Sequence, residues 1–204
     1  MIAIVQYGSG NVQAIANIYT RLGIEVCMAA TPAQLQAADR IILPGVGAFD
    51  RAMQRLNSSG LRDVLERSAL LEAKPVLGIC VGMQMMAHRS DEGKLPGLGW
   101  IPGEVRRFDI SAFRHQTHLP HMGWNDVRSR DGVRLFQDLD SQAQFYFLHS
   151  YFFAPVDAKF ALAEADYNGL FAASVGASNV YGVQFHPEKS HRWGIRLLKN
   201  FAEL

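Results

Sequence analysis

Lys74-Pro75-Val76-Leu77-Gly78-Ile79-Cys80-Val81-Gly82-Met83-Gln84-Met85-Met86 is the stretch that decides how this chain is read. An apolar, strand-forming run reaches a Gly-x-Cys-x-Gly, and the residues after it take helical spacing. That is the pattern of a nucleophile elbow, better known with serine at its centre. A side chain at the apex of such a strand-to-helix turn is forced out beyond the end of the sheet. The flanking glycines are expected to let the backbone through a turn too tight for Cβ atoms. The free amides and positive end of the following helix are expected to favour thiolate at Cys80.

Strand and helix patterns alternate on the N-terminal side of the elbow. Ile2 to Tyr7 reads as a buried strand broken at Gly8-Ser9-Gly10. Val12, Ile15, Ile18, Tyr19 and Leu22 then recur at helical spacing until Gly23 ends the helix. Ile24 to Met28 is a second strand, Thr31-Pro32 a helix start, and Ile41-Ile42-Leu43 a third strand stopped at Pro44-Gly45. Helical patterns from about Phe49 to Leu56 and from Leu61 to Leu71 lead into the Pro75 strand. This order predicts an α/β fold: an open, mostly parallel central sheet with helices on both faces.

The C-terminal side changes character. Glycine and proline dominate Ser90 to Gly103, which reads as a structured loop. Short β segments follow at Val105 to Phe108, Trp124 to Val127, Phe145 to Leu148, Lys159 to Glu164, Leu170 to Val175 and Val180 to Phe185, as antiparallel β additions to the sheet. A helix from about His191 to Phe201 closes the chain. With no repeat and no linker, residues 1–204 are expected to form a single domain.

Composition bounds the function classes. The 204 residues are 49% apolar and 19% charged, with a formal net charge of +1. That balance points to neither nucleic acid nor a membrane surface as a partner. No apolar run approaches the ~20 residues that span a bilayer. Met1-Ile2-Ala3-Ile4-Val5 lacks a basic leader, so no signal peptide is expected. Two cysteines, Cys27 and Cys80, make no disulfide framework, and a reducing, cytoplasmic location is expected. Cys27, inside Glu25-Val26-Cys27-Met28, reads as an inert small hydrophobe.

Open α/β sheets place their sites beyond the carboxyl ends of strands, and three groups stand there: Gly45 to Gly47, Cys80, and His186 to Glu188. In Gln184-Phe185-His186-Pro187-Glu188 a β segment ends at His186, and Pro187 turns the chain so that Glu188 can fold back toward the imidazole. A thiol nucleophile needs a base, and the base needs a partner that fixes its tautomer and stabilises the imidazolium. Cys80, His186 and Glu188 supply these three roles. The glycine-rich Pro44-Gly45-Val46-Gly47-Ala48 exposes backbone amides that could hold a phosphate or an oxyanion. No Lys-Ser or Lys-Thr follows, which argues against a phosphate loop. An oxyanion hole also needs the amide after the nucleophile, at Val81. His115, His118 and His121 are spaced by three, but no acid or cysteine accompanies them, and no metal or other cofactor is expected.

Gly78-Ile79-Cys80-Val81-Gly82-Met83-Gln84, taken with Gln184-Phe185-His186-Pro187-Glu188, resembles the class I (triad) glutamine amidotransferases, whose fold is flavodoxin-like. Further motifs, Leu43 to Phe49, Pro120-His121-Met122-Gly123-Trp124-Asn125 and Phe145-Tyr146-Phe147-Leu148-His149-Ser150-Tyr151, are similar to those of the glutaminase subunits of imidazole glycerol phosphate synthases. The resemblance runs from Tyr7-Gly8-Ser9-Gly10-Asn11 to Glu188-Lys189-Ser190, nearly the whole chain.

The resemblance implies hydrolysis of L-glutamine to glutamate and ammonia through a thioester on Cys80. It also implies transfer of the ammonia to a (β/α)8-barrel cyclase (HisF-type) subunit, in a heterodimer making imidazole glycerol phosphate and an aminoimidazole carboxamide ribotide. It assigns the oxyanion hole to Val46, Gly47 and Val81, with a peptide flip at Val46. Gly45, Gln84, Glu92, Ser150 and Tyr151 are implied at the substrate, and Asn11, Trp124, Tyr146 and Lys189 at the partner interface or ammonia exit. Two departures are Val-Gln-Ala-Ile after Asn11 and Val81 where leucine is usual. Gly97-Leu98-Gly99-Trp100-Ile101 also resembles a paralogous branch that feeds ammonia into amidino-sugar synthesis for surface polysaccharide. A stand-alone thiol hydrolase is a third reading, against which the partner motifs count.

Overall fold

The computed structural model describes residues 1–112, 118–140 and 142–204. Its first half alternates strands β1 (Ile2–Val5), β2 (Val26–Ala29), β3 (Arg40–Gly45) and β4 (Val76–Cys80) with helices α1 (Val12–Arg21), α2 (Pro32–Gln36), α3 (Phe49–Ser58) and α4 (Arg62–Glu66). The elbow helix α5 (Val81–Gln84) follows β4 directly. The second half adds β5 (Gly103–Arg107), β6 (His121–Asp126), β7 (Arg128–Ser129), β8 (Gln144–His149), β9 (Tyr151–Pro155), β10 (Ala161–Asp166), β11 (Leu170–Ala177), β12 (Val180–Val183) and the closing helix α6 (His191–Ala202).

Eight strands form one sheet in the order β2-β1-β3-β4-β12-β11-β10-β7. Pairing is parallel from β2 through β12 and antiparallel beyond it. Every residue of β1 and β4 is buried, as expected of parallel strands covered on both faces. The decisive topological event is the return of β12 to lie beside β4, with Val183 opposite Ile79, while on the other side Gly45 of β3 lies opposite Cys80. Three loops distant in sequence thereby leave the sheet side by side. Two small antiparallel pairs, β5 with β9 and β6 with β8, complete the fold. No helix is long and apolar enough to cross a membrane among the described residues.

Local chemistry accounts for the element ends. Gly23, at φ 69°, closes α1 in a Schellman motif, its amide bonded to Thr20 O and that of Ile24 to Tyr19 O. Thr31 caps α2 in a reciprocal capping box with Gln34, and Pro32 occupies the first turn. Two elements differ from expectation. The helix read from Leu61 to Leu71 is α-helical only to Glu66 and continues as a π turn over Arg67–Leu71. The strand read from Lys159 begins at Ala161, because Asp157 accepts the Lys159 amide and holds residues 158–160 in a 3-10 turn. Strands β7 and β9 carry no clear alternation and escape the sequence reading.

Candidate active site

Cys80 ends β4 with φ 55° and ψ −114°, a left-handed-side backbone that a non-glycine residue adopts only when its surroundings force it. The forcing contacts are at the glycines. A Cβ on Gly82 would sit 1.9 Å from Leu43 O, and one on Gly78 would sit 2.7 Å from Met83 N. The glycines therefore admit the neighbouring backbone, and the strained dihedral falls on the cysteine itself. The helix after the elbow is only four residues long. The dipole argument shrinks accordingly, since few peptide units are aligned, and the groups that reach the sulfur are the His186 imidazole and the Gln184 side-chain amide.

His186 stands just past β12, its backbone amide bonded to Tyr146 O at 2.9 Å. Phe185 stacks on Phe145 at 4.0 Å, which locks this chain end onto β8. The Ser190 hydroxyl donates to His186 O at 2.6 Å and accepts the Tyr146 amide at 3.0 Å, closing the Pro187 turn. Glu188 folds back so that its Oε1 lies 2.9 Å from His186 Nδ1, and its other oxygen is buried with no hydrogen-bond partner among the described residues. Burial of the imidazole disfavours its charge. Hydrogen bonds and charge attraction from Cys80 and Glu188 outweigh that penalty and push His186 up to about 10. The imidazole is held between a sulfur and a carboxylate, both of which favour its protonated form.

These groups open on a pocket of about 630 Å³. Cys80, His186, Glu188, Val46, Gly47, Val81, Gln84, Glu92, Ser150 and Tyr151 line it, as do Asn11 and Lys189. Gly45 lies beneath, where a Cβ would meet the Gly82 amide at 2.5 Å. Trp124 and Tyr146 are a cross-strand pair of β6 and β8 beside the pocket, with the Lys189 ammonium 5.5 Å over the Tyr146 ring. Trp124 is 43% exposed and Met122 65%.

Several of these side chains are committed to protein partners. The Val46 amide, the oxyanion donor implied by resemblance, donates to Ser9 Oγ at 3.0 Å, and the Ser9 hydroxyl donates to Val46 O at 3.1 Å. One oxygen of Glu92 accepts the Phe49 amide at 2.8 Å and so serves the start of α3. Gln84 Nε2 donates to Tyr151 O at 3.1 Å and to Gln184 Oε1 at 3.0 Å, and Gln184 Nε2 reaches Cys80 Sγ at 3.8 Å.

Sequence reading missed the parts played by Ser9 and Gln184. Ser9 was visible only as part of a strand-breaking Gly8-Ser9-Gly10, and Gln184 only as a polar residue ending an apolar strand. Of the spaced histidines, His115 lies outside the described residues and His118 is exposed. His121 is buried with both ring nitrogens engaged, by His149 and Asn125.

A cysteine, a histidine and a carboxylate at neighbouring strand ends can form and hydrolyse a thioester. Residues 3–204 match the family description "Glutamine amidotransferase class-I". The chain is 56% identical over 204 residues to "Imidazole glycerol phosphate synthase subunit HisH" of Bdellovibrio bacteriovorus, covering 100% of both chains. It is 43% identical to "Imidazole glycerol phosphate synthase subunit HisH 2" of Pseudomonas aeruginosa, again over 100% of both. Among solved structures, a glutamine amidotransferase crystal structure superposes with a TM-score of 0.75 at 21% identity, covering 100% of this chain and 98% of that one. PurLQS from Thermotoga maritima superposes with a TM-score of 0.74 at 17% identity, covering 99% and 97%. Shared fold, a family match over almost the full length and close relatives converge: the chain belongs to the class-I glutamine amidotransferases.

Proposed function

We propose that this chain is the glutaminase subunit of an imidazole glycerol phosphate synthase, with Cys80, His186 and Glu188 as its catalytic triad. The observation that carries the reading is the placement of Cys80 on a strained elbow beside an imidazole that Glu188 holds at 2.9 Å. Sγ attacks the side-chain carboxamide carbon of L-glutamine. An amide nitrogen is a poor leaving group, so His186 donates its proton as the C–N bond breaks, releasing ammonia and leaving a γ-glutamyl thioester. Neutral His186 then takes a proton from water, whose oxygen attacks the thioester carbon. Glutamate leaves, and the proton stays shared between His186 and Cys80. Glu188 fixes the tautomer and balances the imidazolium.

The developing oxyanion is held by the Val81 amide and, once Ser9 releases it, by the Val46 amide. The hydrogen bonds between Ser9 and Val46 support a resting state whose oxyanion hole is incomplete until a partner engages. That partner is a (β/α)8-barrel cyclase subunit docking over the pocket mouth, where Val46, Met122, Trp124 and Leu148 are exposed. Ammonia is largely protonated near neutral pH and then not nucleophilic, so direct passage into the barrel preserves its reactivity. The pathway test is rescue of a histidine auxotroph lacking its glutaminase subunit. Growth without histidine on expression of this chain supports the reading, and no growth despite soluble expression and partner binding contradicts it.

A further inference from the structure

Two buried histidines that the triad does not use form a continuous hydrogen-bonded line to the nucleophile. His121 Nδ1 lies 2.9 Å from His149 Nε2. His149 Nδ1 lies 2.8 Å from Tyr151 O. That carbonyl also accepts Gln84 Nε2, which in turn serves Gln184, which reaches Cys80 Sγ. At the far end, Asn125 Nδ2 stands 3.3 Å from His121 Nε2.

Every proton along this line is determined from its ends. Asn125 donates to Asp166 O at 2.8 Å and accepts the Asp126 amide on its Oδ1 at 2.9 Å, so its amide orientation is fixed and His121 Nε2 must accept. His121 therefore carries its proton on Nδ1 and gives it to His149 Nε2. From the other end, a backbone carbonyl can only accept, so His149 carries its proton on Nδ1. Both deductions give the same tautomers. The same carbonyl sets the two amides beyond it. Gln84 must present Nε2 to Tyr151 O, its second proton goes to Gln184 Oε1, and Gln184 is left with its donor toward sulfur. A reversed Gln184 would place a carbonyl oxygen, which cannot donate, against the sulfur.

We propose that His121 and His149 are positioning residues for Cys80: an uncharged imidazole pair that holds the Tyr151 carbonyl so that Gln84 and Gln184 direct an N–H at the sulfur. The proposal rests on the reading of Cys80 as the nucleophile. Packing restricts both rings. His121 stacks between Tyr167 at 4.0 Å and Phe147 at 4.8 Å, and His149 meets Phe171 at 5.3 Å and Phe108 at 5.4 Å. Burial, the main cause, lowers His121 to about 4 and His149 to about 3, consistent with a pair that shares one proton between facing nitrogens. Met122 and Trp124, the exposed neighbours of His121 on β6, place the start of this line where the partner would dock.

Two measurements test it. Two-bond 1H–15N spectra of the 15N-labelled chain at pH 7 should show His121 and His149 both neutral with the proton on Nδ1, the minor form of free histidine. Either ring with its proton on Nε2, or charged, overturns the proposal. This needs no variant to fold. Next, iodoacetamide labelling of Cys80 is followed by mass spectrometry, with half-buried Cys27 as the internal reference. Losing the N–H directed at the sulfur in His149→Phe should slow Cys80 labelling by about tenfold while Cys27 is unaffected. His149→Asn, whose amide can still reach Tyr151 O, should recover most of the rate. Unchanged Cys80 labelling in His149→Phe, or equal losses in Phe and Asn, overturns the positioning role. A Cys80→Ala chain that still hydrolysed glutamine would overturn the parent reading instead, in an assay separate from these two.

Discussion

At His186 burial and pairing oppose each other, and pairing wins, holding the imidazole up to about 10. An unfolded chain releases this proton near the ordinary histidine value of ~6.5. Between those values the folded state binds more protons, so stability falls as pH rises. The contribution is fully present below about 6.5 and is lost as pH passes through about 10. Cys80 and Glu188 both sustain it, and Glu188→Gln removes the carboxylate's share, so the melting temperature of the variant should decline less than wild type between pH 7 and 10. The alkaline limb of glutaminase activity, set by loss of the donor proton, should move to lower pH in the same variant. Parallel wild-type and variant curves in both measurements would contradict the ion-pair description. Ser9 offers a second residue-scale test. Ser9→Ala removes the acceptor of the Val46 amide, and one net hydrogen bond corresponds to about fivefold. Glutaminase activity of the free chain should rise by about that factor; an unchanged or lower rate would contradict the resting-state role of Ser9.

The elbow shows how an element creates strain and then uses it. β3, β4 and α5 approach so closely that Gly82 has no room for a Cβ beside Leu43 O. The obstacle is backbone, which cannot rotate aside, so Gly82→Ala must spread the strands. Overpacking of this kind costs about 1–3 kcal/mol, and urea unfolding should show a free energy of unfolding lower by that amount; a loss under about 0.5 kcal/mol would show that the approach is looser than described. Gly78-Ile79-Cys80-Val81-Gly82 was legible as an elbow because composition alone marks it. The physical division of labour was not, since spacing cannot tell a glycine that needs a positive φ from one that needs space. In the structure Gly78 and Gly82 supply space and Cys80 takes the positive φ. Likewise β12 was readable as a strand, but its insertion beside β4 is a long-range pairing that no local pattern encodes. The same holds for Ser9 on Val46, for Gln184 on Cys80 and for the His121–His149 pair, each joining segments remote in sequence.

Across the whole molecule, one sheet brings three strand ends to a single pocket, and the β6–β8 pair borders its mouth with exposed apolar side chains. Met122 is 65% exposed on β6, one residue from buried His121. Placing a charge there, as in Met122→Asp, should weaken association with the proposed barrel partner by tenfold or more. Titration calorimetry or co-elution reads the effect, and undiminished binding would move the interface elsewhere. The proposed division of labour between this chain and a barrel cyclase is tested most directly by comparing wild type and Cys80→Ala in complex with that cyclase, supplied with either glutamine or ammonium. Wild type should form imidazole glycerol phosphate from both nitrogen sources, and Cys80→Ala from ammonium alone. Glutamine-dependent product from Cys80→Ala at the wild-type rate would contradict the account.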